Sequence, residues 1–162
     1  MLPYRIVREP YIQTFQYKIL NQTLSCNYNL YKWNIALTSN CSYCGKTDTL
    51  EHYMFYCPES LEFWNKIEKW LFDIFSMRYK FKVCEILLGI IDTSDVILEI
   101  INLILIMGKL HIYKSKQSSG PIIFLKFLIN LKYYLHALEL VYEKENKTGL
   151  YIKKYEMLVD NI

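Results

Sequence analysis

Apolar residues recur along most of this chain at helical spacing, and little of it alternates as a strand would. Between Thr14 and Leu24, the residues Phe15, Ile19 and Leu20, with Tyr17 and Leu24, form one core-facing stripe. Asn21 to Asn29 is polar and predicts a bend, after which Leu30 to Ala36 reads as a short helix carrying Leu30, Trp33 and Leu37 inward. Asp48-Thr49-Leu50-Glu51 has the form of a box in which a cap side chain and an acid three residues on satisfy each other's backbone donors, opening a helix through His52. Cys57 is placed to cap the next helix, whose first turn tolerates Pro58. From Leu61 onward Phe63, Trp64, Ile67, Trp70, Leu71, Ile74 and Phe75 keep a 3.6-residue period opposite Glu62, Lys66, Lys69 and Asp73. Arg78 to Val83 alternates basic and apolar residues, which suits an extended segment with one wet face. Ser94 or Asp95 is positioned to cap a long helix to about Ser115, and the Ser118-Ser119-Gly120-Pro121 break precedes another to about Asn146. Leu150 to Leu158 adds a last amphipathic turn or two. The succession predicts an all-α class: a single compact helical domain over residues 1–162 with an irregular insert near residue 41.

Composition narrows the class further. With 52% hydrophobic and 22% charged residues in 162, the chain carries enough apolar side chain to offset its ordering entropy, which excludes a disordered or low-complexity protein. Its most hydrophobic stretch, Ile86 to Leu110, is interrupted by Asp92, Asp95 and Glu99. The uninterrupted part, Ile100 to Met107, is too short to span a bilayer, so a buried helix is expected and no membrane partner. The opening residues Met1-Leu2-Pro3-Tyr4-Arg5 lack the pattern of a secretory signal, so the expected compartment is reducing, and the five cysteines read as thiols or metal ligands.

Cys41, Cys44, His52 and Cys57 place four soft or borderline ligands within 17 residues, in the order Cys-x2-Cys-x7-His-x4-Cys. Two residues between Cys41 and Cys44 let both sulfurs turn to one side, and Gly45 permits the positive φ of a tight turn. His52 and Cys57, from a short helix and its end, close over the first pair. Three thiolates and an imidazole select Zn²⁺, and a filled tetrahedral shell leaves no position for water, so the site is structural. Competing readings are disulfides, or buried thiols beside an unrelated histidine; a reducing compartment disfavours the former. Cys26 and Cys84 are expected as buried apolar thiols, and His111 and His136 as core or surface histidines.

The net charge of +3 is modest for a polyanion binder, so nucleic-acid contacts would come from local patches: Arg5, Arg8 and Lys18; Arg78, Lys80 and Lys82; and Lys109, Lys114 and Lys116. Tyr43, Tyr53 and Tyr113 are candidate stacking surfaces for unpaired bases. The sequence has no phosphate-binding glycine loop, nucleophile elbow, His-Glu-x-x-His or adjacent aspartate pair, so no catalysis is expected of it.

Phe15-Gln16-Tyr17-Lys18-Ile19-Leu20, the ligand run from Cys41 to Cys57, and Phe63-Trp64 together resemble the zinc-binding domain of non-LTR, LINE-type retrotransposon reverse transcriptases. The run from Ile101 to Lys114, ending in Lys109-Leu110-His111-Ile112-Tyr113-Lys114, is similar to the helix that follows in LINE proteins, and Pro121 with Phe124 and Phe127 to the start of the next. The resemblance implies a zinc-binding part over residues 8–76, a helical part over 77–162, and a module that holds RNA or single-stranded DNA. It implies a polymerase domain of a full-length element as a further partner, and a nuclear or cytoplasmic location. The alternative is a protein-interaction or intramolecular docking module with a purely structural zinc.

Overall fold

The computed structural model describes residues 7–90 and 95–162; Arg5 and Ser94 lie outside them. The described residues form seven α-helices and one π-helical turn: α1 (Pro10–Leu20), α2 (Asn27–Lys32), the π turn (His52–Tyr56), α3 (Pro58–Phe75), α4 (Val83–Leu88), α5 (Val96–Gln117), α6 (Phe124–Lys144) and α7 (Thr148–Val159). Among them the sole β pairing is an isolated bridge between Asn40 and Thr47. The all-α reading stands.

Helix α5 is the axis of the fold. Every residue from Ile100 to Ile112 is buried, because α1, α4, α6, α7 and the π turn all pack around it. By length and composition alone α5 would cross a membrane, but 72% of its apolar window is buried inside the protein, and Asp95 caps its start by accepting from the Ile97 N–H. The amphipathic α3 buries Phe63, Trp64, Ile67 and Leu71 as its period predicts, against Phe81, Phe127 and the α5 backbone. The segment before α4 keeps its alternation: Phe81 is buried while Arg78, Lys80 and Lys82 face solvent.

Five helices stop at a left-handed residue other than glycine; α3 does so at Ser76 (φ 54°) with a single bond from Ser76 N–H to Phe72 O, and the other four share a second device. Gln22, Asn34, Ser119 and Asn146 take left-handed φ values of 55°, 57°, 52° and 55°. Each is followed by the pair of reversed bonds that satisfies the last carbonyls, as in Ile35 N–H to Leu30 O and Asn34 N–H to Tyr31 O at the end of α2.

Several local expectations are corrected. The first helix starts at Pro10, four residues early, and turns Tyr17 to solvent while burying Ile12 and Gln16. The second runs over Asn27–Lys32 rather than Leu30 to Ala36, and Trp33 and Leu37 point outward, since the left-handed Asn34 ends the helix before they reach the core. Cys84 is exposed, whereas Cys26 is buried as expected. The short α4 was not foreseen.

Candidate metal centre

The centre is assembled from two chain segments. In the first, Cys41 N–H donates to Lys46 O at 2.7 Å and Gly45 N–H to Cys41 O at 2.8 Å, closing a tight loop in which Gly45 has φ +74°. A side chain is strained at that φ, which is why glycine follows Cys44. The Cys41 sulfur accepts from the backbone of Tyr43 and Cys44. Both cysteine side chains thus turn to one side, as the spacing predicted.

The second segment carries the less obvious device. His52 and Cys57 are five residues apart, a separation that an ordinary helix, with its i to i+4 bonds, does not bring into register. The π turn does: Cys57 N–H donates to His52 O at 2.8 Å, an i to i+5 bond. Thr49 caps the turn by accepting from His52 N–H at 3.2 Å. Asp48, expected as the cap, instead accepts from Asn27 N–H at 3.1 Å, tying the knuckle to α2. A π turn followed by Pro58 leaves the Tyr53 carbonyl without its helical donor, because proline has no N–H. Ser60 Oγ and Lys116 Nζ both donate to it, each at 2.8 Å, and Trp64 Nε1 donates to Met54 O at 2.7 Å.

The four candidate ligand atoms lie within 4.8 Å of one another. Cys41 Sγ and Cys57 Sγ are 3.8 Å apart, and two sulfurs held about 2.3 Å from one ion at the tetrahedral angle would stand about 3.8 Å apart. Cys44 Sγ is 3.2 Å from His52 Nε2, somewhat inside the roughly 3.5 Å edge that bond lengths of about 2.3 and 2.0 Å imply. All five cysteines are free, so disulfide pairing is absent from the site. Burial lowers the His52 pKa, which favours the neutral ring a metal requires. Burial also pushes the Cys41 thiol up to about 11, so only a cation at the site makes its thiolate favourable near neutrality. Donor set and spacing therefore fit Zn²⁺ in a closed Cys3His shell.

Residues 5–64 match the family model described as zinc-binding in reverse transcriptase. Over this segment, which is under half of the chain, the protein is similar to the zinc-binding domains of reverse transcriptases. Comparison of the chain with curated proteins and with solved structures finds no match. The matched segment is joined to the helices beyond it by polar contacts: Tyr43 Oη donates to Gly120 O at 2.7 Å, Ser25 Oγ and Tyr113 Oη meet at 2.9 Å, and Gln117 Nε2 donates to Ser25 O at 3.2 Å.

The basic residues proposed as phosphate contacts separate into two groups. Lys18, Arg78, Lys80, Lys82 and Lys114 are exposed. Lys114 Nζ lies 5.4 Å above the Tyr11 ring, and Arg78 5.7 Å from the Phe72 ring; Lys80 has a Glu68 carboxylate at 3.8 Å. Arg8 is exposed but engaged, paired with Glu145 and stacked over Tyr142.

Lys109 and Lys116 do not face solvent. Lys109 is fully buried and donates to Gln16 Oε1 and Leu87 O, and Lys116 is spent on Tyr53 O and on the faces of Tyr43 and Tyr53. The stacking surfaces are corrected in the same way: Tyr53 is buried, and the Tyr113 ring is packed against Phe15 and Tyr53. The sequence marks Asp48 only as a helix cap; its buried carboxylate lies beside the centre, where burial pushes its pKa up and the Asn27 N–H bond, Lys116 and His52 oppose that effect. The His-x4-Cys spacing was the available signal for the π turn.

Proposed function

We propose that this chain is a zinc-stabilised module that binds RNA or single-stranded DNA, the tail portion of a LINE-type reverse transcriptase that itself performs no catalysis. The family match over residues 5–64 supports the origin, and the closed Cys3His shell supports a structural metal. The observation that carries the binding reading is the pairing of Lys114 with Tyr11. The Lys114 ammonium stands over an exposed ring on α1, and Lys18, two helical turns from Tyr11, extends the same face. An exposed aromatic ring flanked by exposed cations suits an unpaired base next to its phosphate. Arg78, Lys80 and Lys82 form a second exposed basic run. On this reading the module works in the nucleus or cytoplasm, beside the polymerase domain of a full-length element.

The test is fluorescence anisotropy of labelled single strands against the zinc-loaded chain over a salt series. Affinity should fall steeply with salt, and Lys18→Ala with Lys114→Ala should lower the magnitude of the log–log slope by roughly one to two. Binding no stronger at low salt than that of an inert protein of similar charge overturns the reading.

A further inference from the structure

Between the end of α1 and the first zinc ligand the chain turns a cluster of large apolar side chains into solvent. Tyr28, Tyr31, Trp33 and Ile35 are exposed, Trp33 by 46%, and Leu37 is completely so. This cluster is built rather than frayed. The reversed bonds around Asn34 fix the turn, and Asn29 Nδ2 donates to both Gln22 O and Leu24 O at 2.8 and 2.7 Å. At its base Asn27 Nδ2 donates to Asn40 O at 2.7 Å, and Asp48 N–H to Ser39 O at 2.8 Å, which fastens the tip to the zinc knuckle.

Charge indicates the partner. From Pro10 to Thr47 the sequence contains no acidic residue, and its charges are Lys18, Lys32 and Lys46. Lys32 Nζ lies 5.5 Å over the Tyr28 ring, so a cation sits on the flank of the aromatic cluster. Three exposed aromatics within six residues, interleaved with lysine, match the chemistry of an unpaired polynucleotide, rings for the bases and ammonium groups for the phosphates; the nearby carboxylates, Glu51 in the pocket beside Tyr28 and Asp48 bonded to Asn27 N–H, lie on the Tyr28 side of the tip. Leu37 and Ile35 then supply apolar edges of the kind that separate stacked bases.

We infer that this tip is a base-stacking surface for single-stranded nucleic acid, with Trp33 and Tyr31 as its principal rings and Lys32 as its phosphate contact. The inference rests on the nucleic-acid reading above and assigns to it a surface distinct from the Tyr11–Lys114 face. The zinc centre acts at one remove, as the anchor that holds the tip in shape.

Trp33 is the exposed tryptophan, whereas Trp64 is buried and Trp70 half-buried, so intrinsic emission reports on the tip. The zinc-loaded chain is titrated with a thymine oligonucleotide of about fifteen residues. Quenching is expected in the wild type and should be lost in Trp33→Phe, which keeps a ring and hence most of the affinity. Trp33→Ala and Tyr31→Ala should each weaken binding about tenfold or more, with circular dichroism and zinc content unchanged. If the wild type binds while emission and both alanine variants are unaffected, the tip is not the surface and the nucleic-acid reading survives. If the wild type does not bind at all, both fall. Self-association of the wild type that Trp33→Ala abolishes would also overturn the inference, by making the tip a contact between copies.

Discussion

The indole of Trp64 lies directly against the backbone of Gly108. A Cβ placed on that glycine would stand 2.7 Å from Cη2 and 3.0 Å from Cζ3 of the ring. Trp64 cannot easily retreat, because its Nε1 is fixed to Met54 O in the π turn and its ring packs on Phe63 and Phe81. Gly108→Ala should therefore destabilise the fold by about 1–3 kcal/mol, the usual penalty for overfilling a packed core. Urea denaturation measures it. In the Gly108→Ala, Trp64→Phe double variant the two losses should add to less than their sum, since the smaller ring makes room.

Elemental analysis of the purified chain should find one zinc equivalent in the wild type and none in Cys44→Ser. The metal contributes on the order of 10 kcal/mol of binding free energy in comparable sites. Hydrogen exchange over residues 38–60 should then accelerate by orders of magnitude, and chelation of the wild type should reproduce the pattern.

Lys109 predicts a pH dependence. Burial lowers its pKa from 10.5 to about 7, with no carboxylate among its hydrogen-bond partners. Between about 7 and 10.5 the unfolded chain binds this proton and the folded chain does not, so stability rises with pH across that window. Below it both states are protonated and the folded protein bears the full penalty of a buried cation. Lys109→Met removes the dependence. Denaturation midpoints of the zinc-loaded proteins should thus show the wild type gaining on the variant as pH is raised from neutral towards 10.

Ser119 holds φ at 52°, between α5 and α6, with its side chain exposed. Ser119→Gly should relieve the left-handed strain and raise stability by about 0.5–1 kcal/mol after the entropy of the more flexible unfolded chain is counted. An increase in thermal midpoint checks it, and a decrease would count against the backbone account.

The parts of the fold that were legible in the sequence are those where side-chain periodicity decides the packing. In α3 the apolar stripe is long, and Glu62, Lys66, Lys69 and Asp73 mark the opposite face, so helix and buried residues follow together. The zinc ligands were legible for a different reason: their chemistry is rare and their spacing short. Trp33 and Leu37 misled because apolar character says that a residue benefits from burial without saying that the chain can deliver it, and the turn at Asn34 carries them away. Lys109 and Lys116 misled in the opposite sense. A lysine has a long apolar stem and three donors, so it fits either a wet surface or a buried carbonyl, and only the arrangement of Gln16, Leu87 and Tyr53 around α5 decides which.

The side chains of Phe63 and Trp64, the last two positions of the matched segment, are covered by Phe81, Phe127 and Gly108, all from outside it. A recombinant fragment ending at Trp64 would leave two large rings bare and would cut α3 after its second turn. Such a fragment should aggregate even when saturated with metal. A fragment that also carries α5 and α6 should keep both rings covered, so the matched segment and the shortest stably packed fragment are expected to end at different places.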